Sequence, residues 1–283
     1  MKKTTVSLGN GIQLACIERP GCEVPLVLLH GITDNAFTWL PVLEGIDARC
    51  RVFALDFRGH GESDKPEAFY DAEAYAADVR HFIDEQIGEP VLLAGHSLGG
   101  VVAVQTGVTA PGLVRGLFLE DPPLYFVNDL NETYRALFEG TVLMASTLQA
   151  GSRSPDDWFE VMAAAPDPYS GRPGIETMGA EKIRQRIESI GLMKPKAMTD
   201  GLAGSLHWNT DQVLAGIRCP VTVITGNPAL GAVMTGEEVA RMQGIVPGMR
   251  AIGLNDVGHL IHDQKPDAWL EAVNGWIDEA LTG

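Results

Sequence analysis

The sequence predicts an α/β fold, a mostly parallel sheet covered by helices on both faces. Three observations predict it. Short, continuously apolar runs alternate with segments of helical periodicity, the pattern of strands buried on both sides. One such run ends in a Gly-His-Ser-Leu-Gly elbow and restarts as an apolar helix. Polar clusters follow the C-terminal ends of several runs, where ligands bind in sheets of this class.

Taken in order, residues 4–8 and 12–17 read as two strands joined by the hairpin turn Gly9-Asn10-Gly11. Residues 24–29 form a buried strand ending in His30-Gly31-Ile32-Thr33, and residues 36–46 a helix. Residues 51–55 are the next buried strand, leading into Asp56-Phe57-Arg58-Gly59-His60-Gly61-Glu62-Ser63. Across residues 72–87, Tyr75, Ala76, Val79, Phe82, Ile83 and Ile87 recur at helical spacing. The elbow strand and a helix to about Thr109 follow, stopped near Pro111-Gly112. Residues 114–119 make another buried strand, running into Glu120-Asp121-Pro122-Pro123.

After Pro123, roughly ninety residues pass without a clear buried strand, far more than an ordinary connection. Helical periodicity marks residues 130–148, 156–164 and 181–190, with Pro/Gly/Ser-rich breaks between them. The sheet resumes at residues 220–226, and a last strand near 249–254 leads to Asp256-Val257-Gly258-His259. The final helix starts at Pro266 and buries Trp269, Val273, Trp276 and Ile277. Two domains are therefore expected, a core of residues 1–123 and 219–283 and a helical insertion of residues 124–218.

Composition narrows the function. The chain has 283 residues, 45% of them hydrophobic and 20% charged, as expected of a globular protein with a large core. Its formal net charge of −16, with no offsetting basic cluster, disfavours nucleic acid and anionic membrane surfaces as partners. No run approaches the ~20 apolar residues of a membrane span. The opening residues lack a signal-peptide pattern, and Cys16, Cys22, Cys50 and Cys219 show no CxxC spacing. These features read as a cytoplasmic protein with reduced, packing cysteines. No His/Asp/Glu spacing marks a metal, and no glycine loop marks a phosphate or nicotinamide cofactor, so none is expected.

The elbow carries the chemistry. Its tight turn leaves room only for glycine at Gly95 and Gly99 and lifts the Ser97 hydroxyl above the sheet edge. There it meets a helix N-terminus, whose partial positive charge favours a developing anion. The Leu98 N–H is placed as half of an oxyanion hole.

These motifs together, His30-Gly31, the segment from Asp56 to Ser63, Gly95-His96-Ser97-Leu98-Gly99-Gly100 and Gly258-His259, resemble the α/β-hydrolase superfamily over nearly the whole chain outside the insertion. The resemblance implies Ser97 as nucleophile, His259 as base, and the N–H groups of Ile32 and Leu98 as the oxyanion hole. It also implies that the insertion, placed after the sixth strand, is a cap that shapes the substrate pocket.

The acid departs from the usual pattern. Superfamily members typically carry it as an Asp three residues after the glycine that follows the next strand. Here that stretch is Gly226-Asn227-Pro228-Ala229-Leu230. A carboxylate is still needed to orient and stabilise the His259 imidazolium. Asp121 is the first candidate, in an arrangement similar to that of lactone hydrolases that open zearalenone. Glu120 is the alternative, turned to the other side by strand alternation, and Asp256 is a third. Asp121 would equally serve as a loop cap before Pro-Pro.

The remaining histidines have structural readings. His30, His60 and His96 hold loops, His81 is solvated on a helix, and His262 lacks the preceding glycine of His259. In the insertion, Tyr125, Phe126, Met144, Trp158, Met162, Tyr169, His207 and Trp208 either line a pocket or form the insertion's own core. Trp208 and His207 are the first choices as substrate contacts, with Tyr125 beside them.

The leading functional expectation is a serine hydrolase that cleaves a carboxylic ester or lactone of an apolar, medium-sized substrate through an acyl-enzyme, a zearalenone-type macrolactone included. The alternative is a carbon–carbon bond hydrolase of ring-cleavage products, or a non-catalytic ligand-binding member of the fold. Homo-oligomerisation is left open.

Overall fold

A computed structural model describes residues 1–67, 69–126, 132–204 and 206–282. Its eight strands are β1 (Lys2–Ser7), β2 (Gln13–Arg19), β3 (Val24–Leu29), β4 (Cys50–Leu55), β5 (Val91–His96), β6 (Val114–Glu120), β7 (Val221–Thr225) and β8 (Arg250–Gly253). They form one sheet in the order β1-β2-β4-β3-β5-β6-β7-β8. The pairs β1/β2 and β2/β4 are antiparallel, and every later pair is parallel.

The helices are α1 (Leu40–Leu43), α2 (Ala72–Phe82), α3 (Leu98–Thr109), α4 (Glu132–Gln149), α5 (Pro155–Ala164), α6 (Gly174–Thr177), α7 (Ala180–Gly191), α8 (Pro195–Leu202), α9 (Thr210–Leu214), α10 (Gly236–Ile245), α11 (Ile261–Gln264) and α12 (Pro266–Thr282). Helices α4 to α9 all lie between β6 and β7. The expected start of the first insertion helix at Leu130 lies outside the described residues.

Two cores sandwich the sheet, and strand alternation divides the residues between them. Val27 and Leu29 of β3 and Leu93 of β5 join one core with α2, α3 and α10. Leu26 and Leu28 of β3 and Leu92 of β5 join the other with α1, α11 and α12, where Trp269, Val273, Trp276 and Ile277 are all buried. The insertion has its own core, built on Met144, Trp158, Ile183, Ile187 and Ile190.

Three local expectations differ from the structure. The helix expected over residues 36–46 is a 3-10 turn, Ala36–Trp39, followed by the short α1. Pro41 has no N–H to give the Phe37 carbonyl, so the first turn closes through the Leu40 N–H instead. The helix expected to run to Ile87 changes to a π turn at Ile83–Ile87 before Gly88 ends it at φ 76°. Cys22, expected to pack, is exposed in the loop before β3. Among the described residues no helix is long and apolar enough to cross a membrane.

Candidate active site

The elbow between β5 and α3 holds Ser97 at φ 53° and ψ −118°, a conformation that side chains rarely adopt. The surroundings enforce it. A Cβ on Gly95 would overlap the Gly99 carbonyl, and one on Gly99 would overlap the Leu29 carbonyl of β3. The Ser97 N–H donates to the Glu120 carbonyl at 3.0 Å, which ties the elbow to the end of β6. Leu98 opens α3, so its N–H has no carbonyl one turn earlier in the helix to serve.

Asp121 follows directly. It is fully buried and also left-handed, at φ 41°. Its N–H donates to the Ile224 carbonyl of β7 at 2.8 Å. Its carboxylate meets His259, with Oδ2 2.6 Å from Nδ1. The N–H groups of Val233 and Met234 donate to Oδ2 at 2.8 Å and Oδ1 at 3.1 Å. With Nδ1 of His259 facing this carboxylate, Nε2 has no hydrogen-bond partner among the described residues. The loop after β7, where the superfamily pattern would put the acid, thus supplies two N–H donors to an acid from another strand. Ala229 itself lies in a 3-10 turn capped by Asn227.

Glu120, the alternative acid, points the other way. It meets His262, with Oε1 and Oε2 at 2.8 and 2.9 Å from Nδ1, and accepts the N–H groups of Ile261 and His262. Nε2 of His262 is 2.9 Å from Thr38 Oγ1. Burial alone would depress His262, but the Glu120 charge and hydrogen bond override it and raise the imidazole above its ordinary value. Sequence reasoning missed this pair. The available signal was a second histidine three residues after His259. Asp256, the third candidate, pairs with Lys265 on the surface.

His96 joins the two pairs. Its ring lies 4.6 Å from that of His259 and 5.0 Å from that of His262, and its Nε2 is 3.1 Å from the His259 carbonyl. The Phe57 N–H donates to Nε2 of His30, which leaves the His30 proton on Nδ1, facing the Gly31 carbonyl at 2.7 Å. Nε2 of His60 lies 2.8 Å from the Ile32 carbonyl and fixes that peptide's orientation. Burial pushes His30, His60 and His96 below the ordinary imidazole value, with His30 and His96 well below it. The side chain of Ile32 packs against both the main core and the core of the insertion. His81 pairs with Glu85 on the surface.

The three expected substrate contacts lie at the seam where the insertion leaves and rejoins the core. The Tyr125 hydroxyl donates to Asp211 at 3.1 Å under the Arg241 guanidinium. The Trp208 indole N–H donates to the Leu124 carbonyl at 3.0 Å, and its ring packs on the main core. His207 is exposed. Of the other aromatic and methionine candidates, Met144 and Trp158 are buried in the insertion's core, Met162 packs on it, and Tyr169 is exposed.

The chain is similar over most of its length to known proteins. A profile described as the Alpha/beta hydrolase family matches residues 26–272. The chain is 27% identical over 263 residues to a 2-(acetamidomethylene)succinate hydrolase of Mesorhizobium japonicum, covering 90% of this chain and 88% of that one. It is 26% identical over 280 residues to an N-formylmaleamate deformylase of Pseudomonas putida, covering 96% and 95%. The solved structure of an N-formylmaleamic acid deformylase from Pseudomonas putida superposes with a TM-score of 0.78 at 22% identity, over 96% of this chain and 100% of that one.

Proposed function

The chain belongs to the alpha/beta hydrolase family and is a hydrolase, and we propose that it cleaves an acyl bond in small, open-chain substrates that carry a carboxylate. The roles are those of a serine hydrolase. Ser97 Oγ attacks the carbonyl while Nε2 of His259 takes its proton. The N–H groups of Ile32 and Leu98 receive the oxyanion, and Asp121 orients His259 and balances the imidazolium. Collapse expels the leaving group, protonated by His259. Water activated by the same histidine then releases the acid from Ser97. The observation that carries this reading is the 2.6 Å contact between buried Asp121 and His259, beside the Ser97 elbow.

The substrate class rests on the named relatives. Both names describe an N-acyl group on a short skeleton that bears carboxylate. Acidic, open-chain substrates of this kind stand nearer the alternative, a carbon–carbon bond hydrolase of ring-cleavage products, than an apolar ester or macrolactone, and the bond these names point to is the N-acyl bond. Residues 124–218 act in this reading as the cap over the pocket.

The test is product mass spectrometry on a panel containing an apolar ester, a macrolactone, an N-acyl amide acid and a dienone diacid, with Ser97→Ala as control. Turnover of the acidic members by the wild type alone is expected. Preference for the ester or macrolactone would restore the apolar reading. Turnover that survives Ser97→Ala would remove the serine mechanism.

A further inference from the structure

A cavity of about 420 Å³ opens between α7 of the insertion and the loops that flank the site. Its lining includes Asp34 and Thr38, just beyond the Ile32 loop, Leu260, next to His259, and Lys182, Arg186 and Asp263. Lys182 is already engaged by Asp263. Arg186 is half-buried, and its Nη2 donates to Thr33 Oγ1 at 3.3 Å, one residue after Ile32. Among the described residues it forms no ion pair, so most of its five N–H donors remain for a ligand. Asp34, at the cavity wall, is pushed above the ordinary carboxylate range by burial, with Arg186 pulling back.

A planar guanidinium held at the rim of a cavity, with its neighbouring cation already paired, is suited to a carboxylate. We propose that Arg186 binds the carboxylate of the substrate and thereby sets the preference for acidic acyl compounds. The proposal rests on the function proposed above and adds the residue that recognises the charge. Because Arg186 comes from the insertion and touches the Ile32 loop through Thr33, an acid seated on it would lie against the oxyanion side of the site.

The test is a matched pair of substrates, one acyl compound as its free carboxylate and as its methyl ester, measured with wild type, Arg186→Gln and Arg186→Lys. The wild type should prefer the carboxylate. Arg186→Gln should reduce that preference by about 10–100-fold, the size of a lost charge-assisted hydrogen bond, mainly through KM. Arg186→Lys should restore part of it, because the charge returns without the fork. Equal losses on both substrates, with the preference intact, would make Arg186 a strut of the Ile32 loop and overturn the proposal. A wild type indifferent to the charge would overturn it as well.

Calorimetric titration with succinate separates the subsite from the reaction, since it needs no turnover. Succinate should bind the Ser97→Ala protein and bind about tenfold or more weakly when Arg186→Gln is added. Such binding, in a chain that turns over no member of the panel, would support the subsite and defeat the substrate class proposed above. Succinate binding that is independent of Arg186 would defeat the subsite alone.

Discussion

Glu120 and Asp121 are consecutive residues at one strand end, and each holds a histidine of one short segment, yet the two pairs are built for different work. His262 is completely buried, and both of its ring nitrogens are taken, Nδ1 by Glu120 and Nε2 by Thr38. It has no lone pair left for a reaction. His259 keeps 27% of its side chain exposed over a fully buried Asp121. Its Nε2 has no such partner among the described residues. The chemistry of the two pairs is the same. Which side of the strand the carboxylate leaves from, and whether the second nitrogen is capped, divides them into a brace and a candidate proton relay.

The largest effect should come from the residue that only the exposed pair can serve. Ser97→Ala should lower kcat by on the order of a million-fold with the melting temperature little changed, read by steady-state kinetics and thermal unfolding. A fluorophosphonate probe should label Ser97 alone among the serines, as peptide mass spectrometry would show.

Asp121→Asn should come next, at about ten-thousand-fold in kcat, because an amide favours the wrong tautomer of His259 and cannot balance its imidazolium.

The third effect is on stability and sets the two kinds of histidine against each other. His30, His60 and His96 have lowered values, so their contribution is present above about 6.5 and is lost as pH falls, when the unfolded chain takes up protons that the fold refuses. His262 is raised, so its contribution is full below about 6.5 and is lost as pH rises through the folded value. Between pH 5 and 8, chemical denaturation should therefore show a maximum. Glu120→Gln should flatten its alkaline limb and spare the acid limb.

The smallest effect belongs to the surface carboxylate. Asp256→Asn should leave both kcat and the melting temperature unaltered, since its pair with Lys265 is exposed and screened by water.

Much of this was legible in the sequence for physical reasons. Strands buried on both faces, such as residues 24–29, must be apolar throughout, so they show as unbroken runs. The elbow shows because its close approaches exclude every side chain but hydrogen at Gly95 and Gly99. Asp121 could be singled out because the usual position is Ala229 and His259 still needs a partner. What resisted reading depends on distant partners. Nothing local says that Glu120 will find His262, which is 142 positions away. Nor does local periodicity show that Trp208 and Tyr125 tie down the insertion's ends, or that Arg186 will reach Thr33 across 153 positions.

The most direct measurement places Asp121→Asn and Glu120→Gln side by side, with kcat per folded molecule and melting temperature read for each. Asp121→Asn should lose most of its kcat per folded molecule, with some loss of stability because its carboxylate is buried as well. Glu120→Gln should lower the melting temperature by roughly 5–15 °C, as breaking a buried ion pair does, while folded protein keeps kcat within about tenfold. The reverse pattern, with Glu120→Gln folded but inactive and Asp121→Asn active, would contradict the assignment of His259 and Asp121 to the chemistry.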